Sequence, residues 1–179
     1  MTESASDFRM KKKDNMRPGF KQVDRFHLDS AHKFSAEKLQ SIFDWWQGFS
    51  PDVPYYRDFD ILNHAKYASD IFLYKVLGEE RFEVRINGDK AEDIIGRKYT
   101  GKIVDSAAAQ TDPIINDLLN YLNNICKLKQ PFGCKGTYTD IVGKECYFES
   151  VDCPLLGADG EVSYIVGMMD SVSGPVSRF

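Results

Sequence analysis

The stretch Arg81-Phe-Glu-Val-Arg-Ile-Asn-Gly-Asp-Lys-Ala-Glu-Asp-Ile-Ile-Gly-Arg97 decides how this chain reads. Its first six residues alternate strictly, with Phe82, Val84 and Ile86 on one side and Arg81, Glu83 and Arg85 on the other. Side chains of a strand point to opposite faces in turn, so this pattern predicts a strand with one buried face. Asn87-Gly88 ends it, and Lys90 to Ile95 make a short helical turn closed by Gly96. Just upstream, Ile71 to Val76 is rich in β-prone residues, and Gly78-Glu-Glu80 reads as a tight turn. The two strands therefore form an antiparallel hairpin.

Moving outward, Pro113 to Lys129 is the clearest helix. Asp112 is its cap, Pro113 takes the first helical position, and Ile114, Ile115, Leu118, Leu119, Leu122, Ile125 and Cys126 form an apolar face. Lys127 and Lys129 lie in the last turn, where a cation favours the helix dipole. Pro131 stops the helix, and three strands follow, over 132–139, 146–155 and 162–169. Gly157-Ala-Asp-Gly160 joins the last two as a hairpin. On the N-terminal side, Leu39, Ile42, Phe43 and Trp46 recur at helical spacing between Ser35, a candidate cap, and Gly48. A second short helix starts at Asp60 and uses Ile61, Leu62, Ala65 and Ala68. Strands before and after a helical middle describe the α+β class, here a five-stranded antiparallel sheet with helices on one face and a leading helix.

These segments, in this order, resemble the PAS sensor family. The resemblance rests on the strand and turn Arg81–Gly88, the Ala91-Glu-Asp-Ile-Ile-Gly-Arg97 helix, the Tyr99-Thr-Gly101 loop and the late Cys153-Pro-Leu-Leu-Gly-Ala-Asp-Gly160 hairpin. More narrowly, the tryptophan-bearing leading helix and the step Arg57-Asp-Phe-Asp60 are similar to small stand-alone bacterial PAS proteins. The resemblance spans about residues 36–170. It implies a ligand or signal site between sheet and helices, dimerisation through the leading helix, and no catalysis. It divides the chain into a basic, flexible arm over 1–34, a leading helix and linker over 35–58, a PAS-like core over 59–172 and a tail over 173–179.

Composition narrows the functional classes. The chain has 179 residues, of which 42% are hydrophobic and 13% aromatic, and its net charge is −4. No apolar run approaches the ~20 residues of a membrane span, and the mild acidity argues against a nucleic-acid partner. Residues 1–25 hold seven Lys/Arg against four Asp/Glu, a net of +3, with no apolar stretch behind them. That opening lacks the apolar core of a secretory signal, so a cytoplasmic protein is expected. Cys126, Cys134, Cys146 and Cys153 show no metal-type pairing, and they read as reduced thiols.

The family's cofactors are disfavoured on this reading. Haem in the family's usual mode needs a histidine on the long helix, whereas His27, His32 and His64 all precede the first core strand. A light-oxygen-voltage-type flavin photosensor needs a cysteine where Gly96-Arg-Lys is followed by Tyr99. Glu145 and Glu149 share one face of a strand and read as solvated, and Arg85 reads as a surface cation. No nucleophile–base arrangement stands at a recognisable spacing.

The expectation is a small sensory or regulatory module that takes a ligand or partner protein and signals through protein contacts. Its pocket would be lined by Phe82, Val84, Tyr99, Ile115, Leu119, Leu122 and Tyr147. The Leu39/Ile42/Phe43/Trp46 stripe would form a homodimer interface or cap the outer face of the sheet. Two alternatives stand beside this. One is a structural or adaptor dimer whose core is filled, and it is favoured if no pocket larger than a few waters exists. The other is an enzyme on a cone-shaped fold of the ketosteroid-isomerase-like kind; adjacent first and last strands in mid-sheet would favour the PAS reading over it.

Overall fold

A computed structural model describes residues 17–175. The elements are β1 (Gly19–His27), α1 (Glu37–Gln47), β2 (Ile71–Gly78), β3 (Arg81–Ile86), α2 (Asp89–Ile95), β4 (Ile103–Asp105), α3 (Ser106–Ala109), α4 (Pro113–Leu128), β5 (Phe132–Thr139), β6 (Glu145–Leu156) and β7 (Val162–Val172). All strands join one antiparallel sheet in the order β1-β5-β6-β7-β2-β3-β4. Strand β2, the first of the expected core, lies beside β7, the last. That adjacency meets the criterion separating a PAS-like order from the cone fold.

The sheet has seven strands where five were expected, and both additions have a physical reason. Strand β4 is three residues long, too short for a period-two pattern to register, and it pairs only with β3. Strand β1 falls within the stretch read as a flexible arm, where the basic count concealed the apolar residues Phe20, Val23 and Phe26. It runs antiparallel to β5 from Gly19 opposite Thr139 to His27 opposite Phe132. A register shift between Phe20 and Gln22 puts one extra residue into β1, so Phe20 and Val23 both reach the same core cluster. The opposing Gly136 makes this possible, because a Cβ there would stand 1.9 Å from the Gln22 carbonyl oxygen. The Arg9 to Lys13 portion of the arm lies outside the described residues.

The helices also divide between two faces rather than gathering on one. On the inner face α4 buries Ile115, Leu119, Tyr121, Leu122 and Ile125 against Phe72, Phe82, Phe148 and Ile165. Asp112 accepts a hydrogen bond from the Ile114 N–H at 3.0 Å, and Lys129 ends the helix at φ +51°. On the outer face α1 lays Leu39, Ile42, Phe43 and Trp46 onto Ile71, Leu73, Val151, Cys153 and Val166. Burying each large side chain of that stripe contributes about 1.5–3 kcal/mol. The stripe therefore caps the outer face of its own sheet.

Polar anchors orient α1. Ser35 is not its cap; instead the Glu149 carboxylate, 2% exposed on β6, accepts from the backbone N–H of Ser35 at 2.9 Å and of Ala36 at 3.4 Å. The expectation of a solvated Glu149 is thus overturned, because α1 lies across it. Lys38 Nζ reaches Asp70 at 2.9 Å and Asp170 at 3.4 Å, and Trp46 Nε1 donates to the Pro154 carbonyl at 2.8 Å. The segment after Asp60 forms two 3-10 turns rather than an α-helix, and its Leu62 is exposed. No helix among the described residues is long and apolar enough to cross a membrane.

Candidate functional site

The register of the sheet lines up two rows of residues on the inner face. Arg25 on β1 stands opposite Cys134 on β5, which faces Ser150 on β6, which faces Met169 on β7. In the neighbouring row Phe132, Asp152, Gly167 and Phe72 follow one another across β5, β6, β7 and β2. Gly167 leaves room for the Phe72 ring, since a Cβ would come within 2.5 Å of it. Polar side chains at Ser150 and Asp152 thus sit in a sheet face otherwise built of aromatic and aliphatic groups.

Tyr121, on the covering helix, closes over this pair. Its hydroxyl donates to Asp152 Oδ2 at 2.7 Å in the buried core. The Arg25 guanidinium lies 4.2 Å from the centre of the Tyr121 ring, a cation–π distance. Its Nη1 approaches Cys134 Sγ at 3.3 Å, and its Nε donates to Asp117 on α4 at 3.1 Å. The chain Asp117–Arg25–Tyr121–Asp152 therefore ties an edge strand, the helix and the sheet together. Ser150 Oγ, in a residue 1% exposed, has no well-formed hydrogen bond among the described residues.

These groups border a cavity of about 40 Å³ between α4 and the sheet. Its apolar walls include Val84 and Tyr99, and Ile114 and Leu118 from the first turns of α4 roof it. Two ion pairs hold that roof: Arg25 with Asp117, and Arg97 with Asp112. Burial sets the electrostatics. It pushes Asp152 up to about 6, with the Tyr121 hydrogen bond, Arg25 and the neighbouring Ser150 hydroxyl pulling partway back. Burial likewise raises Tyr121, Tyr74 and the Cys134 thiol, which stay protonated at neutral pH. For Arg25 burial alone would lower the pKa, but its neighbours, of which the Asp117 carboxylate is the charged one at neutral pH, outweigh it, so the guanidinium stays charged.

Of the seven residues expected to line a pocket, Val84 and Tyr99 border the cavity. Phe82, Ile115, Leu119 and Leu122 lie in the inner core but away from it. Tyr147 is misplaced: it alternates with the inward Phe148, opposite Val172, and borders a surface recess with Gln22 and Thr137. Counting β6 in twos from Phe148 turns Tyr147 outward, and the same count marks Ser150 and Asp152 as polar residues facing inward. Arg25 carries no such signal, because the basic residues around it mask the strand. Arg85 pairs with Glu83 on the exposed side of β3.

No protein-family profile and no curated protein sequence matches the chain. Among solved structures it is similar to an RNA-binding light-oxygen-voltage receptor, at 12% identity and a TM-score of 0.46 over 86% of this chain. The alignment takes in 39% of that receptor's length. It is also similar to a light-oxygen-voltage domain studied with a flavin analogue, at 11% identity and a TM-score of 0.43. That likeness covers 65% of this chain and 87% of the other. The expectation that disfavours a light-oxygen-voltage-type flavin is corrected by these two neighbours. The missing cysteine bears on adduct chemistry and leaves non-covalent flavin binding unaddressed.

Proposed function

We propose that this chain is a PAS-type sensory or regulatory module that takes a small molecule into the cavity between α4 and the sheet. It passes the occupancy on through protein–protein contacts rather than by catalysis. The observation that carries this reading is the buried pair Ser150 and Asp152 on an apolar cavity wall. Tyr121 holds Asp152, whereas Ser150 makes no well-formed hydrogen bond; a buried hydroxyl short of a partner costs about 1–3 kcal/mol, and a core built only for stability gains nothing from placing one beside a void. The β1–α4–β6 linkage through Arg25, Tyr121 and Asp152 supplies a route by which filling the cavity shifts the helix.

A second reading is favoured by one number. At about 40 Å³ the cavity holds only a few waters, which is the condition set for an adaptor with a filled core. Mass spectrometry of the full chain purified from its native host, combined with thermal-shift screening, separates the two. A retained or stabilising molecule whose effect is lost in Ser150→Ala supports sensing. Protein that carries and responds to nothing in the cavity, while still capturing a partner, supports the adaptor.

A further inference from the structure

We infer that the cavity selects an uncharged molecule of about three to four non-hydrogen atoms bearing both a hydrogen-bond donor and an acceptor, the class of small amides. This rests on reading the cavity as the sensory site, and it adds what the site discriminates. Size comes first. At about 40 Å³ the cavity has room for a few waters, which limits a guest to a handful of non-hydrogen atoms.

Charge comes second. Two ionisable groups of opposite sign border the same space, Arg25 and Asp152. An anion would sit against the Asp152 carboxylate, and a cation against the Arg25 guanidinium. Arg25 already has Asp117 as its counter-ion on the outer side. A neutral guest meets neither penalty.

Hydrogen-bonding capacity comes third. Arg25 Nη1 faces the cavity row with only a thiol as partner at 3.3 Å, and a thiol is a weak acceptor. Ser150 stands opposite that thiol across the strands; its hydroxyl makes no well-formed hydrogen bond among the described residues, although it is near enough to Cys134 and Asp152 to hold the pKa of each down. Both can donate to a carbonyl oxygen. Asp152, two residues along the same face, accepts from Tyr121 and has capacity for a further N–H. A carbonyl and an N–H on adjacent atoms are what an amide presents, and the aromatic and aliphatic walls accommodate its methyl group.

The experiment titrates the full chain at pH 7 with acetamide, acetate, methylammonium and acetone, following backbone amide shifts by NMR. Acetamide is expected to saturate and to move Ser150, Asp152 and Tyr121 together. Acetate, methylammonium and acetone are expected to bind at least about fivefold more weakly, the value of one hydrogen bond or one misplaced charge. Ser150→Ala, which removes a hydroxyl that makes no well-formed hydrogen bond, is expected to fold normally and to lose about five- to tenfold in acetamide affinity. Equal binding of acetone or of an ion overturns the selectivity, and so does unchanged affinity in Ser150→Ala. If acetamide fails while a molecule carried from the host shifts the same residues, the guest class is wrong and the sensory reading survives. If no guest moves those residues, both fall.

Discussion

The Tyr121 hydroxyl donates to Asp152 Oδ2 at 2.7 Å, joining the covering helix to strand β6 inside the core. The bond satisfies two buried polar groups at once and places a carboxylate where apolar packing surrounds it.

That carboxylate gives stability a defined pH dependence. In the unfolded chain Asp152 ionises near 3.8, and in the folded protein near 6. Between these values the folded state keeps a proton that the unfolded state has released. Its contribution is therefore fully present below about pH 4 and is lost as pH rises through about 6. Asp152→Asn, which keeps an acceptor for Tyr121, removes that dependence. Urea denaturation from pH 4 to 7 should show the variant gaining about 2–3 kcal/mol over wild type across the range. Parallel profiles for the two proteins would show that Asp152 does not titrate there.

The α1 stripe belongs to the fold. Phe43→Ala should cost about 3–5 kcal/mol, as for other buried phenylalanines, and should leave the solution mass from light scattering unchanged. A changed mass with stability intact would return the stripe to the role of an interface.

Much of this was legible in the sequence. Strand β3 runs over the residues its alternation marks, and α4 starts at Pro113 with Asp112 as its cap. Local rules sufficed there, because period, cap and proline act within one element. They failed where a distant partner decides. Arg25 lies among basic residues and becomes part of a core only because β5 pairs with it. Glu149 reads as solvated until α1 crosses the outer face. Ser150 and Asp152 were accessible to counting along β6, but their meaning depends on Tyr121 arriving from a helix 31 residues away.

Glu149 makes a testable claim about α1. Its carboxylate accepts the backbone N–H groups of Ser35 and of the cap residue Ala36, at the entry to the helix. Glu149→Gln should cost about 1–3 kcal/mol, the range for hydrogen bonds to a charged group. Amide exchange should quicken most over residues 37–40. Uniform quickening across the sheet would place the loss in the core and not at the helix start.

The inner face depends on Gly167. A methyl group there would lie 2.1 Å from the Val151 carbonyl and 2.5 Å from the Phe72 ring. Gly167→Ala should destabilise by about 1–3 kcal/mol or more, while Gly174→Ala, with nothing within 4 Å, should stay within about 0.5 kcal/mol. Thermal melts of the two variants side by side provide the comparison.

The register of β1 also has a consequence in time. Arg25 and Cys134 are 109 residues apart, so pairing β1 with β5 closes a long loop, and non-local pairings of this kind form slowly. Phe20, Val23 and Arg25 are one wall of the cavity, and they sit on a strand with a neighbour on one side only. Its detachment would break the Arg25–Asp117 ion pair, the Arg25–Tyr121 contact and the β1–β5 pairing, and it leaves the pairing of β5 with β6 in place. If the cavity takes a guest as proposed, the guest's release is expected to follow the undocking of this one edge strand, and occupancy to slow hydrogen exchange in β1.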